Sequence, residues 1–275
     1  MLIVNRQDNR GKNTMKNNID IETFLEQLGS EAPTPGGGAA AALTSALGAS
    51  LILMVTNNTI FKGKCGDYED LNYSARSTAT DLRARLTECI EKDAEAYAEV
   101  AAGYRLARSI DKVKNLDRMK EVIRETAGNL DKDSHIKRLE YFESLCGDPF
   151  DVSNLSPAMH DLVDIGYKDT RKALLAAVST IACEVPLSVM EDSLTALHLV
   201  ESLIGKSYKP LESDLRTSAR CLHSGILSSS ALLAANIPAV AAENADFASK
   251  LKKRSDDIVE ESSNLVHTLF AQFND

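Results

Sequence analysis

The sequence predicts an all-α protein, a helical bundle with long antiparallel helices. Apolar residues recur at steps of three and four in at least five segments, which is the periodicity of one helix face. No segment shows the alternation of apolar and polar residues that is typical of a half-buried strand. Hydrophobic residues make up 44% of the 275 residues, which is enough to bury a core. We therefore expect one helical domain over residues 19–275, preceded by a flexible tail over residues 1–18.

The first helix is predicted to begin at Asp20, a good N-cap, and to end at Gly29. The segment SEAPTPGGG then leads into a second helix over residues 39–61. Residues 39–55 are apolar, but the run is rich in small residues and short for ~30 Å of hydrocarbon, so we expect a buried helix. Four alanines share one side of it, where another backbone could approach closely: Ala39, Ala42, Ala46 and Ala49.

The third helix is predicted over residues 68–107. At 1.5 Å per residue it is about 60 Å long, and a helix of that length needs a bundle or a partner subunit to cover it. Residues 108–168 differ in character, because they are rich in charges and then in turn-forming residues. We interpret them as an inserted excursion with short helices of its own.

Three further helices are predicted after the excursion. The first resumes at Lys168, and Pro186 is expected to kink or split it because proline lacks an N–H group. The next begins near Ser213 and ends before Pro238. A last amphipathic helix covers about residues 244–270. Its inner face is predicted to consist of Phe247, Leu251, Ile258, Leu265 and Leu269.

Charge and cysteine usage exclude several classes of function. The 31 Lys and Arg residues against 40 Asp and Glu give a formal charge of -9, which disfavours nucleic acid and anionic membrane as partners. The five cysteines are scattered and show no CxxC spacing, so neither a disulfide framework nor a zinc site is indicated. The five histidines lack metal-ligand spacing. We expect a cytoplasmic protein without a metal site.

Asp93 is the sharpest candidate for chemistry. It falls in an apolar stripe of the third helix formed by Leu82, Leu86, Cys89, Ile90, Tyr97, Val100 and Tyr104. Burial of an unpaired carboxylate raises its pKa, and a raised pKa suits proton transfer near neutral pH. Two alternatives remain open: Asp93 could lie at an exposed edge of the stripe, or it could pair with a cation from another helix.

Three other features could bind a ligand, each with a structural alternative. Gly36, Gly37 and Gly38 could bring backbone N–H groups and a helix N-terminus to a polar ligand, or could form a flexible linker. Lys62 and Lys64 suit an anionic tail, but cations there also complement a helix C-terminus. Ser213 and Asp214 are explained equally well as an N-cap and a favourable first-turn acid.

Taken together, these motifs resemble the cyclodeaminase/cyclohydrolase family of folate one-carbon enzymes. The similarity is carried by ETFLEQLGSEAPTPGGGAAA with ALGASLILMVTNNTI after it, by DAEAY, which contains Asp93, by ACEVPL, and by SDLRTSARCLHSG followed by AANI. It covers about residues 19–107 and 168–272 in the order of the family. The excursion over residues 108–168 is longer than the usual connection.

The resemblance implies an all-helical subunit that forms a homodimer and binds folate in a cleft near the subunit interface. It implies that Asp93 is the acid/base residue and that the glycine backbone lies close to the ligand. It further suggests that Lys62 and Lys64 hold the glutamate tail, and that Ser213 with Asp214 orients polar groups of the pterin. The substrate would be a tetrahydrofolate derivative, and no tightly bound cofactor is implied.

The leading interpretation is hydrolysis of 5,10-methenyltetrahydrofolate to 10-formyltetrahydrofolate, because the run from ETFLEQLGSEAPTPGGG to MVTNNTI looks most like the stand-alone cyclohydrolases. The first alternative is a formiminotetrahydrofolate cyclodeaminase, which releases ammonia and forms 5,10-methenyltetrahydrofolate. A second alternative is a non-catalytic binding subunit of the same fold. Departures from the usual residues of the family at Ala39, Phe61 and Cys65 give some support to this last interpretation.

Overall fold

The fold consists of α-helices throughout the described part of the chain, which confirms the predicted class. A computed structural model describes the backbone of residues 20–112, 167–242 and 244–272, and the side chains of 20–105, 175–242 and 244–271. Two short 3-10 turns, Gly66–Tyr68 and Lys209–Leu211, precede the third and fifth helices. The helices are α1 (Ile21–Leu28), α2 (Gly37–Phe61), α3 (Glu69–Lys112), α4 (Tyr167–Leu203), α5 (Glu212–Ala241) and α6 (Ala245–Gln272).

Four of the helices form an antiparallel bundle around one core. α2 packs on α3 and α5, α4 packs on the same two helices, and α6 covers the outer groove between α4 and α5. The core contains fully buried side chains from all of these helices, among them Ile52, Leu82, Met190, Leu215 and Ile258. The long third helix is thus covered along its first half by α2 and α4.

Small residues allow α2 and α5 to lie unusually close together. A Cβ atom added to Gly48 would lie 2.6 Å from Cγ of Leu222, and one added to Gly225 would lie 1.9 Å from Oγ of Ser45. The four alanines predicted to share a packed side are all buried, with at most 6% of their surface exposed. The predicted close approach to α2 is therefore confirmed.

The ends of the first and third helices agree with the sequence to within a few residues. The N–H of Thr23 donates to Oδ1 of Asp20 at 2.9 Å, which makes Asp20 the N-cap of α1, and Gly29 is its C-cap. α3 continues to Lys112, beyond the predicted end at 107. The predicted tail and most of the predicted excursion lie outside the described residues.

Two expectations about helix ends and faces were wrong, and one of two alternatives for Pro186 is excluded. Pro186 does not split α4, which passes through it as one helix, and α5 contains Pro238 instead of ending before it. Each proline removes one backbone hydrogen bond, a loss that packing of the whole helix offsets, since Pro186 is buried in the bundle. Phe247 is 38% exposed, and the first buried residue of the inner face of α6 is Ala248.

Ser213 is not an N-cap. The 3-10 turn ahead of α5 carries the chain directly into the helix, which begins at Glu212, so Leu211 occupies the cap position without a side-chain hydrogen bond. Ser213 is exposed in the first turn of α5. Asp214 lies beside it, where its negative charge interacts favourably with the helix dipole, as predicted.

Two of the described helices, Gly37–Phe61 and the stretch Lys209–Ala241, are long and apolar enough to cross a membrane by length and composition. The apolar window of the first is 61% buried inside the protein, and that of the second is 28% buried. The first agrees with the expected buried helix, since core helices of bundles have this composition.

Candidate functional site

The carboxylate of Asp93 lies on the N-terminus of α2. The backbone N–H of Ala39 donates to Oδ2 of Asp93 at 2.9 Å, in a contact that joins positions 54 residues apart in the chain. Asp93 belongs to α3, which runs antiparallel to α2, so the contact closes one end of the bundle. The first of the two alternatives for Asp93, an exposed edge of the stripe, is excluded because the residue is half-buried.

Of the three glycines, Gly38 is the one that the carboxylate requires. A Cβ atom at Gly38 would lie 1.8 Å from Oδ1 of Asp93 and 2.5 Å from its Cγ, far closer than atoms can pack. At Gly37 the nearest atom would be a Leu232 methyl carbon at 3.6 Å, and at Gly36 a carbonyl oxygen at 3.6 Å, which are ordinary contacts. Only Gly38 therefore lacks room for a side chain, whereas the space around Gly36 and Gly37 would admit a Cβ atom.

Burial raises the pKa of Asp93, and the hydrogen bond from Ala39 opposes that rise. Removal of water destabilises the charged carboxylate, whereas an N–H donor at a helix N-terminus stabilises it. Among the described residues, no Lys or Arg side chain forms an ion pair with Asp93, so the predicted alternative of a cation partner is not seen there. The result is a carboxyl group that gains and loses a proton closer to neutral pH than an exposed aspartate does.

The helix end beside Asp93 offers further donors. The first backbone N–H groups of a helix have no partner within the helix, and those of Gly37 and Gly38 occupy such positions. The first bond inside α2 is donated by Ala40 to the carbonyl of Gly36. The arrangement can bind a polar ligand through the backbone and exchange a proton with it through Asp93.

The face of α3 that carries Asp93 changes character at that residue. Before it, Leu82, Leu86 and Cys89 are buried against α2 and α4. After it, Tyr97 and Tyr104 are 45% and 44% exposed. α2 begins at the level of Asp93, so it does not extend far enough to cover the later turns. The predicted stripe is therefore core before Asp93, whereas after it the two tyrosines are exposed and Val100 is partly buried.

A polar cavity of about 350 Å³ opens between α3 and α4, one turn before Asp93. Its wall includes an ion pair in which Nη2 of Arg85 lies 2.7 Å from Oδ1 of Asp192. Burial raises the pKa of the Cys89 thiol, which also lines the cavity, to about 11. The lining residues are Arg85, Glu88, Cys89, Lys92, Glu184, Val185, Ser188, Glu191 and Asp192. The sequence analysis missed this cavity, because it depends on the pairing of α3 with α4.

The remaining predicted site residues lie at the opposite end of the bundle. Lys62 caps the C-terminus of α2 and places its Nζ 5.6 Å from the ring centre of Tyr208. The N–H of Tyr208 donates to Oγ1 of Thr59 at 2.9 Å, so the turn that leads to Ser213 and Asp214 lies against the same end. Lys64 follows at that end, where its N–H donates to the carbonyl of Thr59.

The structure therefore divides the predicted site into two groups within one chain. Gly38 and Lys62 are 24 positions apart along α2, which corresponds to about 36 Å at 1.5 Å per residue. Asp93 and the glycines form one group, whereas the lysines, Ser213 and Asp214 form the other. A second cavity, of about 480 Å³, lies near the lysine end and is lined by Asn57, Asn58, Ile60, Phe61 and Arg76.

Metal-binding groups and histidines contribute little to either end. Within the described ranges, no group of three or more His, Cys, Asp or Glu side chains could share a metal ion. His198 lies between Glu201 and Glu261, and His223 lies 3.2 Å from Ser263, in contacts away from Asp93. His135 and His160 lie outside the described residues.

These observations define the class of this protein: an all-α antiparallel helical bundle with a half-buried carboxylate on a helix N-terminus at one end. The sequence profile of the family described as Formiminotransferase-cyclodeaminase matches residues 20–128 and 166–257, and the chain belongs to this family. The family assignment from the sequence motifs is thereby confirmed.

Two known proteins are similar to the chain. It is 44% identical over 100 residues to a methenyltetrahydrofolate cyclohydrolase of Methylorubrum extorquens, a match that covers 36% of this chain and 48% of that protein. The chain thus matches about half the length of this curated relative. The crystal structure of a formiminotetrahydrofolate cyclodeaminase from Thermotoga maritima has a similar fold, with a TM-score of 0.58, 17% identity and 92% of each chain covered.

Proposed function

We propose that this protein hydrolyses 5,10-methenyltetrahydrofolate to 10-formyltetrahydrofolate, with Asp93 as the general acid/base. The observation that carries the proposal is the half-buried carboxylate on the N-terminus of α2, held by Ala39 and raised in pKa by burial. The choice of substrate follows the 44% identity with the cyclohydrolase of Methylorubrum extorquens.

The reaction needs one group that moves a proton twice. Water adds to the cationic carbon that bridges N5 and N10, and the carboxylate of Asp93 takes one proton from that water. The bond between this carbon and N5 then breaks, N5 receives the proton from Asp93, and the second water proton leaves to solvent as the formyl C=O forms. A carboxyl group with a raised pKa suits both halves, because its two protonation states are close in free energy near neutral pH.

The charge of Asp93 also suits the ground state. The methenyl compound carries a positive charge on the bridge, and a carboxylate in a partly dehydrated site attracts it more strongly than one in water. Gly36, Gly37 and Gly38 position the ligand through their backbone, and the fit of Gly38 against Asp93 fixes where the carboxylate points.

Lys62 and Lys64 are proposed to bind the glutamate tail, and Ser213 with Asp214 to orient polar groups of the pterin, from a partner subunit. The reason is the separation of about 36 Å along α2, which a folate held at Asp93 of the same chain would have to span. A homodimer in which the lysine end of one subunit meets the Asp93 end of the other removes this difficulty. Changing both lysines to alanine in the intact protein should raise KM and leave kcat nearly unchanged.

Cyclodeamination of 5-formiminotetrahydrofolate is the second candidate, favoured by the description of the family. In that reaction N10 attacks the formimino carbon, and Asp93 would protonate the amine that leaves as ammonia. The two reactions pass through similar adducts at the same carbon, so the same geometry serves either. Loss of methenyl absorbance and release of ammonia from the 5-formimino compound, measured side by side, separate them.

The deciding variant is Asp93→Asn, which keeps the size of the side chain and an oxygen that can accept from Ala39. We expect turnover of 5,10-methenyltetrahydrofolate to fall by ~100-fold or more, the usual effect of removing a general acid/base. The matched control is Asp192→Asn, which alters a carboxylate paired with Arg85 rather than with the helix end. A folded Asp93→Asn protein with normal turnover would refute the assignment and favour a non-catalytic binding subunit.

A further inference from the structure

Tyr97 occupies a distinctive position on α3. It lies four residues after Asp93, within the DAEAY motif, and 45% of its surface is exposed. The earlier members of the same stripe, such as Leu86 and Cys89, are buried. An aromatic residue that continues a packing stripe past the end of the neighbouring helix presents a large apolar surface next to the candidate site.

Helix geometry places Tyr97 next to Asp93 on the surface of α3. Residues at positions i and i+4 are neighbours on the helix surface, with Cβ atoms about 5–6 Å apart. Side chains in a helix lean toward its N-terminus, so a residue covers the turn that precedes its own Cα atom. The turn before Tyr97 is the one that carries Asp93.

Three elements therefore meet at one end of the bundle. They are the proton-exchanging carboxylate, the N-terminus of α2 with the N–H groups of Gly37 and Gly38, and the aromatic ring of Tyr97. A ligand held by the first two would lie against the third if it carried a flat ring next to its reacting atom. The methenyl bridge of the proposed substrate is conjugated, through N10, with a planar aminobenzoyl ring.

We propose that Tyr97 binds this planar cation, stacking on the aminobenzoyl ring and holding the methenyl carbon beside Asp93. The inference rests on the proposed folate substrate and assigns it a binding residue. The negative face of an aromatic ring attracts cations and stacks on flat conjugated systems. Tyr97 is thus a residue for affinity and placement, whereas Asp93 performs the proton transfer.

Tyr97→Ala, Tyr97→Phe and a control variant test the inference in the full-length protein. Tyr73→Ala is the control, because Tyr73 lies on the same helix, is 43% exposed, and stands 24 positions before Tyr97, about 36 Å away. Two quantities are measured for each protein. One is the steady-state turnover of 5,10-methenyltetrahydrofolate, and the other is the equilibrium binding of 5-formyltetrahydrofolate, a folate that keeps the aminobenzoyl ring.

We expect Tyr97→Ala to raise KM and the Kd of the formyl compound about tenfold, with kcat changed by less than about threefold. Tyr97→Phe keeps the ring and should resemble the wild type, as should Tyr73→Ala. Asp93→Asn should retain most of the binding while losing turnover. This contrast distinguishes a binding residue from a general loss of the site.

Three results would overturn the inference. The first is unchanged KM and Kd in a folded Tyr97→Ala protein. The second is equal loss in Tyr97→Phe and Tyr97→Ala, which would assign the effect to the hydroxyl group. The third is dissociation of the Tyr97→Ala protein into smaller species in sedimentation, which would make Tyr97 a subunit contact. If the wild type neither binds nor turns over either folate, the proposed function itself fails. Failure of the Tyr97 inference alone would instead leave the wild type active, so the two failures are distinguishable.

Discussion

Gly38→Ala tests the site with a single added methyl group. The new Cβ atom would lie 1.8 Å from Oδ1, 2.5 Å from Cγ and 2.9 Å from Oδ2 of Asp93, so it collides with the whole carboxylate. Either Asp93 must turn away and lose its bond from Ala39, or α2 and α3 must separate. Overpacking of this kind costs about 1–3 kcal/mol, and a hydrogen bond to a charged group contributes about 1.5–3 kcal/mol.

Gly37→Ala is the matched control, because its Cβ atom would meet a Leu232 methyl carbon at 3.6 Å. Alanine in a helix is favoured over glycine by up to about 1 kcal/mol, and this gain applies to both variants. The difference between the two variants therefore reports the clash alone. We expect the free energy of unfolding of Gly38→Ala to be about 1–3 kcal/mol lower than that of Gly37→Ala. Urea denaturation followed by circular dichroism measures this difference.

Gly38→Ala should also reduce the rate of turnover. Displacement of a reacting group by about 1 Å can cost ~100-fold in rate, and the clash exceeds that distance. Initial rates with 5,10-methenyltetrahydrofolate should therefore drop by about 100-fold relative to Gly37→Ala. In an Asp93→Ala background, which removes the colliding carboxylate, Gly38→Ala should cost little stability. Equal stability and equal rates for the two glycine variants would refute the placement of Asp93 on this helix end.

Three other predictions concern pH, packing and thiol reactivity. The pKa of Asp93 in the folded state is raised above its ordinary value of 3.8, so between these two pKa values the folded state binds more protons than the unfolded state. As the pH rises through that window, the wild type should therefore lose stability relative to Asp93→Asn, as measured by thermal melts. Gly48→Ala, whose Cβ atom would lie 2.6 Å from Leu222, should lower the free energy of unfolding by about 1–3 kcal/mol in urea while kcat stays near that of the wild type; a stable variant would contradict the close packing of α2 and α5. Cys89, with its pKa raised to about 11, should react with iodoacetamide at pH 8 at least about tenfold more slowly than Cys65, measured by peptide mass spectrometry, and equal rates would argue against its burial.

The sequence was informative at several positions where local physics decides the outcome. The N-cap at Asp20, the end of α1 at Gly29 and the buried alanines of α2 all follow from spacing and side-chain size. The stripe that contains Asp93 made an inward position possible but left an exposed edge open. The partner of Asp93 did not follow from the stripe, because the contact with Ala39 depends on the antiparallel pairing of α2 and α3.

The misplaced features depend on tertiary context. Whether Pro186 breaks a helix is decided by the packing around it, which no local pattern contains. The predicted second helix already separates Lys62 from the glycines, but the sequence does not show at which end of that helix Asp93 lies, since this depends on the pairing of α2 with α3. Similarly, the periodicity of α3 alone placed Tyr97 on the packed face. Tyr97 is exposed because α2 begins at Gly37 and does not extend over this turn of α3.

The bond between Ala39 and Asp93 joins the start of α2 to the middle of α3, at positions 54 residues apart in the chain. Neither helix alone contains both the carboxylate and the amide group that holds it, so the proposed catalytic centre forms only when the helices have docked. During refolding, catalysis should consequently return with tertiary docking and after helical circular dichroism. The time course of recovered activity would then report when α2 and α3 dock.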